Sequence, residues 1–285
     1  MEKLIREKIS SLLSEEEEVL SVEQLGGMTN QNYLVKTTSK PYIVKFFGKG
    51  TEKLINRQDE KYNLELLRDL NLDVKNYLFD IESGIKVNEY IDSATTLDST
   101  SIKTKFEKIA PILQTIHASG KELRGEFAPF EEIKKYEALI EGNIPYANYE
   151  TVRKDVFSLE KRLADLGVDR KPCHIDLVPE NFIESPQGRM YLIDWEYSSM
   201  NDPMWDLAAL FLESEFTNQE EDDFLTYYES DKTPVSREKI RIYKILQDTI
   251  WSLWTVYKEA QGADFGDYGV SRYQRAVDGL TYYGG

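Results

Sequence analysis

The sequence predicts an α+β chain in two lobes, a small β-rich N-terminal lobe over residues 1–91 and a larger helical C-terminal lobe over residues 92–285. Three observations carry this. Short β-branched and aromatic runs, separated by Gly, Asn and Ser, fill much of the first 91 residues. A polar breaker follows at residues 92–96. Beyond it, apolar residues recur mainly at helical spacing. A length of 285 residues suits two lobes and a sizeable core.

In chain order, Leu4, Ile5, Ile9, Leu12 and Leu13 predict an opening helix. The acidic run 15–18 reads as a solvated face, with Ser14 able to cap a short turn. Strands are expected at 19–25, 33–37 and 41–47, with a Gly-containing loop at 26–32 between the first two. Leu64, Leu67 and Leu70 line one side of a helix over 56–70, and 85–91 reads as the last strand of the lobe. In the second lobe, Ile102, Phe106, Ile109, Ile112, Leu113 and Ile116 form one apolar stripe, which Pro111 should kink or split. His117 at its end reads as a structural hydrogen bonder. Helices are expected at 130–140 and 150–166, the latter stopped by Gly167. Asp202-Pro203 opens another, Thr217-Asn218-Gln219-Glu220 is a capping box, and Ser236 starts a long helix to about residue 261.

Composition narrows the function. With 51 acidic and 35 basic residues the net charge is −16, which excludes a nucleic-acid groove and suits a cationic substrate. The single cysteine, Cys173, excludes an internal disulfide and fits a reducing cytoplasm. No apolar run is long enough for membrane insertion, the N-terminus has no signal-peptide pattern, and nothing sets an oligomeric state.

Chemistry concentrates between residues 173 and 194. His174-x-Asp176-Leu177 followed by Asn181 is the catalytic-loop pattern of protein kinases with one middle residue changed. In that pattern the Asp accepts or orients the proton of an attacking hydroxyl, and the Asn reaches a metal ion. Asp194 in Leu192-Ile193-Asp194-Trp195, 13 residues after Asn181, sits where a second Mg²⁺ ligand belongs. Two short strands around residues 185–189 would return it to Asn181 as a hairpin. Lys45, ending an apolar strand, is the candidate for the ATP α- and β-phosphates, with Lys36 as competitor. Glu60 is the expected partner of Lys45, with Glu65 as the alternative. Gly27, Thr29 and Asn30 belong to a phosphate-covering loop, and backbone groups of about Glu89 to Ile91 would hold adenine.

The four tryptophans, Trp195, Trp205, Trp251 and Trp254, all follow this loop, with Glu196, Asp206 and Glu213 among them. Trp251 and Trp254 are one helical turn apart and face the same way. Aromatic faces with nearby carboxylates suit a quaternary ammonium, which has no N–H to donate.

These residues resemble the choline/ethanolamine kinase family, and in length its short bacterial members. The resemblance is carried by His174-x-Asp176, Asn181, the run 193–201, Asp206-Leu207-Ala208, Phe211-Leu212-Glu213 and Trp251-x-x-Trp254. It implies a bilobal protein-kinase-like fold and transfer of the ATP γ-phosphate to the choline hydroxyl. Carried over, Asp176 is the base, Asn181 and Asp194 hold Mg²⁺, and Tyr197, Glu213, Trp251, Trp254 and Tyr268 form the choline pocket. Val178 stands where protein kinases place Lys, and Trp195 follows the metal Asp in place of a Phe. The rivals are an ethanolamine or aminoglycoside kinase, whose amine substrate wants more carboxylates and fewer rings, and an inactive kinase-fold binding protein.

Overall fold

The computed structural model describes residues 2–14, 17–26, 30–48 and 50–284. The chain divides into two compact units, the first formed by residues 1–97 and 180–196, the second by 98–179 and 197–285.

The first unit opens with α1 (Glu2–Ser10), which buries Ile5 and Ile9. Strands β1 (Val19–Gln24), β2 (Gln31–Thr37) and β3 (Pro41–Phe46) form an antiparallel meander. Next comes α2 (Arg57–Leu67), capped by the Asn56 side chain on the Gln58 and Asp59 amides. Strands β4 (Asn76–Asp80) and β5 (Ile85–Glu89) complete a sheet of order β1-β2-β3-β5-β4. Ile5 and Ile9 pack on its inward residues Val35, Tyr42, Val44, Ile85 and Val87, so the period-two alternation in β3 and β5 meets the helical stripe of α1. The predicted helix 56–70 ends in a separate 3₁₀ turn, Arg68–Leu70. Within the predicted polar breaker, Thr95 and Thr96 form the short strand β6.

The second unit begins with α3 (Phe106–His117). This is one helix running through Pro111, so the proline does not split it into two shorter ones. The proline forfeits a single backbone bond early in the second turn, and burial of Phe106, Ile109, Ile112, Leu113 and Ile116 holds the rest. Helices α4 (Pro129–Leu139) and α5 (Tyr149–Leu166) follow, then the short strand β7 (Lys171–Cys173). Gly167 ends α5 with φ +77°.

The hairpin of β8 (Phe182–Glu184) and β9 (Met190–Leu192) belongs to the first unit, where β8 also pairs with β6. The second unit resumes with β10 (Ser199–Asn201), antiparallel to β7, and α6 (Pro203–Glu213), capped by Asp202. Helix α7 (Asn218–Tyr228) carries the expected capping box of Thr217 and Glu220, and Ser236 caps α8 (Arg237–Glu259). A last helix, α9 (Tyr268–Gly284), lies against α8.

Two glycines set that approach. A Cβ on Gly269 would fall 2.7 Å from Tyr146 Oη and 2.8 Å from Thr255 Cγ2, and one on Gly279 would fall 2.8 Å from Ile245 Cγ1. Gly269→Ala should therefore destabilise the protein by about 1–3 kcal/mol in urea unfolding, as overpacking does at a close contact.

Candidate functional site

In the first unit, Lys45 lies at a buried position of β3 and its Nζ is 2.7 Å from Asp194 Oδ1. Lys36 on β2 is exposed. Asp194 has φ +69°, a left-handed conformation that an Asp tolerates. The Ile193 amide donates 2.9 Å to the Asn181 carbonyl, so the β8–β9 hairpin closes with Asn181 and Asp194 at its ends.

Glu60 has other partners than the Lys45 expected for it. Its carboxylate receives Lys86 Nζ at 2.6 Å and Arg57 Nη1 at 2.6 Å. The reason is register. Lys86 on β5 stands opposite Lys45 on β3, and α2 presents Glu60 to the Lys86 head. Arg57 also donates 2.8 Å to Glu196, which accepts Asn30 Nδ2 at 2.8 Å. Asn30 Oδ1 accepts the Gly48 amide at 3.2 Å. Arg57 lies over the Phe47 ring, 4.0 Å from its centroid. Asn30 and Glu196 are thus side chains of one buried network that ties the loop before β2, the turn after β3 and α2 together. Burial pushes the Glu196 carboxyl up, Asp194 adds to the shift, and Lys45 and Arg57 oppose it.

Glu89 donates its amide to Lys75 O at 2.8 Å, and Ile91 O accepts from the Ala94 amide at 3.3 Å. Gly27 and Thr29 lie outside the described residues. Asp73 was not singled out from the sequence. Burial raises its carboxyl to about 7, Asp194 adding to the shift while Lys86 and the Val74 amide oppose it.

In the second unit, the loop carrying Asp176 is held from α6. Asp206 Oδ2 accepts the His174 amide at 2.8 Å and Oδ1 accepts the Ile175 amide at 2.8 Å. His117 Nε2 is 3.0 Å from Asp206 Oδ2, and its Nδ1 is 2.7 Å from Tyr228 Oη. His117 is therefore a buried structural hydrogen bonder. Ile175 has φ +77°, which strains a β-branched residue by roughly 1–3 kcal/mol. Asp206 on its amide and Trp205 Nε1, 3.0 Å from its carbonyl, hold it there. The half-buried Asp176 follows directly, and the Val178 amide donates 3.1 Å to its carbonyl.

The aromatic residues sort by packing. Trp195 is buried and donates to Leu192 O at 2.9 Å, and Trp205 packs on Phe127 and Tyr243, so both are core. In the second unit, Tyr197 meets Trp251 edge-on with ring centroids 5.8 Å apart, and Trp254 lies 4.9 Å from Phe265. Arg272 lies over Tyr268, its Cζ 4.8 Å from the ring centroid, and pairs with Glu213 and, at 3.1 Å, with Asp248. Burial raises the Tyr268 hydroxyl to about 12, with Arg272 opposing. The carboxylates expected among the rings therefore have other engagements: Glu196 with Arg57, Asp206 with backbone amides, Glu213 with Arg272. Sequence reasoning missed Arg57, Lys86, Phe265 and Arg272. Arg272 had a weak signal, one helical turn after Tyr268, and Arg57 had one in its i,i+3 spacing to Glu60; Lys86 and Phe265 meet their partners across longer stretches of chain, which no local spacing marks.

The sequence profile of the choline/ethanolamine kinases matches residues 22–241. The chain belongs to the choline/ethanolamine kinase family. Protein LicA of Haemophilus influenzae is 29% identical over 88% of this chain and 77% of its own length. The crystal structure of choline kinase LicA from Streptococcus pneumoniae is 86% identical, covers 99% of both chains and superposes with a TM-score of 0.96. A crystal structure of LicA in complex with AMP is 87% identical, with a TM-score of 0.93 over 99% of this chain and 98% of that one. The shared fold is the α+β architecture expected from the sequence, with the antiparallel sheet in one unit and the long helices in the other.

Two outcomes test this geometry. Asp206→Ala strands two buried backbone donors and should cost about 3–5 kcal/mol in chemical unfolding, with activity lost even where the fold survives. Asp73→Asn tests the raised carboxyl. An acid held above its unfolded value weakens the fold once the unfolded chain ionises, fully so above its folded value. The variant should thus raise Tm by a few degrees at pH 8, and the gain should vanish by about pH 4 in a Tm–pH series.

Proposed function

We propose that this protein is a choline kinase, transferring the γ-phosphoryl group of ATP to the choline hydroxyl to give phosphocholine and ADP. The observation that carries the reading is the 86% identity to the Streptococcus pneumoniae choline kinase over 99% of both chains. The AMP complex of a LicA protein supports an adenine nucleotide as the donor.

Residue roles follow from the chemistry of the side chains. Asp176 accepts a hydrogen bond from the substrate hydroxyl, orients its oxygen toward the γ-phosphorus and takes up its proton as the new P–O bond forms. Lys45 neutralises phosphate charge, exchanging its pairing with Asp194 for the nucleotide. The Asn181 side-chain oxygen and the Asp194 carboxylate are hard donors at the two ends of one hairpin, a set suited to Mg²⁺. When bound, that ion supplies neutralisation of charge on the β- and γ-phosphates. Asn30, Glu60 and Glu196 fix the surrounding backbone, and backbone groups near Glu89 and Ile91 face adenine. Gly27 and Thr29 remain candidates for covering the phosphates. Tyr197, Trp251, Trp254 and Tyr268 hold the trimethylammonium by their ring faces, each close ring contributing about 0.5–2 kcal/mol. Catalysis is positioning and electrostatics, with no covalent enzyme intermediate. The cytoplasm, where ATP and Mg²⁺ are supplied, is the compartment that suits this reaction; among the described residues no helix is long and apolar enough to cross a membrane.

The deciding assay is ADP release with Mg·ATP and choline, ethanolamine or an aminoglycoside panel at matched concentrations. Preference for choline is expected. Turnover of primary amines alone would discard the ring-bound cation, and no turnover would favour an inactive kinase fold. Asp176→Asn should lower kcat by about two to four orders of magnitude with ATP binding retained, as loss of a general base does.

A further inference from the structure

A second group of charges lies beside the rings. Arg272 is buried, 2% exposed, and its guanidinium joins three elements: Glu213 at the end of α6, Asp248 on α8, and the face of Tyr268 at the start of α9. Asp248 is one turn before Trp251 on α8 and is also held by Arg275 at 2.5 Å and 3.0 Å. The Arg272 charge is strongly retained. Burial alone would lower it, and the Glu213 carboxylate, Tyr268 and Asp248 more than offset this.

We propose that Arg272 is a specificity-determining residue that favours a quaternary over a primary ammonium by occupying the Glu213 carboxylate. The inference rests on the choline-kinase reading and deepens it. A primary ammonium needs acceptors for its three N–H donors, whereas a trimethylammonium has none to satisfy and is held by ring faces. A bare carboxylate at position 213 would reward the primary amine selectively. Arg272 fills Glu213 Oε1 with its own N–H and leaves the rings as the main source of affinity. The same guanidinium lies over the Tyr268 ring and so takes up one of its faces.

The test is kcat/KM for choline and for ethanolamine in wild type, Arg272→Gln and Arg272→Lys, with KM for ATP as the control on the nucleotide half. Arg272→Gln should lower the choline-to-ethanolamine ratio at least about tenfold, the effect of one charge-assisted hydrogen bond, with KM for ATP unchanged. Arg272→Lys keeps a cation beside Glu213 and should stay within about threefold of the wild-type ratio. A merely structural role would lower both acceptors together, and a ratio within about twofold of wild type in Arg272→Gln overturns the proposal. Should that variant not fold, Glu213→Gln decides. With Glu213 already occupied, the proposal expects both acceptors to weaken together. A selective loss of ethanolamine of about tenfold would mean that Glu213 serves the amine directly, and overturns it. A wild type active on neither acceptor would overturn the underlying choline-kinase reading as well, whereas an unchanged ratio in active enzymes overturns only the role of Arg272.

Discussion

The Asp206 carboxylate is the contact on which the loop carrying Asp176 depends. Two adjacent backbone amides and an imidazole converge on it inside the protein. A buried carboxylate is costly unless its lone pairs are filled, and here each oxygen is filled from the loop that must be held. The bonds do more than offset desolvation. They keep Ile175 in a conformation that a β-branched residue avoids, and so set the direction in which Asp176 leaves the loop. Strands β7 and β10 pair on one side of this loop, and Lys239 fixes the Asp202 cap of α6 at 2.7 Å. The loop geometry is thus over-determined by elements that precede it and follow it in sequence.

The first unit solves a different problem. An acidic chain, with net charge −16, has to offer a site to a polyanion. Its buried acids are met locally: Glu60 by Lys86 and Arg57, Glu196 by Arg57, Asp194 by Lys45. Pairing at short range offsets these buried charges locally and leaves the long-range negative field of the chain to act on a cationic acceptor. Buried pairs of this kind give little net stability. Their value is that they link the loop at Asn30, the turn at Gly48, α2 and the end of the hairpin in one arrangement.

Local patterns made much of this legible. Caps at Thr217 and Ser236, the stripe of α3 and the hairpin after Asn181 were readable because each is decided by residues within a turn or two of one another. The strands β7 and β10 were not, since three residues carry no periodicity and they exist only through pairing across more than twenty positions. Helix α9 was hidden by Gly269 and Gly279, which argue against a helix locally and are required by its packing. The partner of Lys45 followed the same rule. Which carboxylate reaches which lysine depends on strand register, and Lys86 stands opposite Lys45 in a way that no local spacing reveals. The acids beside the tryptophans were legible as residues but not as partners, because each pairs with a group far along the chain.

The close approach of α8 and α9 has a thermodynamic consequence. Where a glycine lets helices touch, the distance between them is set by main chain and short side chains rather than by flexible ones. Trp251 and Trp254 on α8, and Tyr268 at the head of α9, are then anchored to a spacing with few soft degrees of freedom. Ordering such rings on ligand binding would forfeit little entropy, because most of it was forfeited when the helices docked. Burial of apolar ligand surface against rings held in this way would carry a negative heat-capacity change.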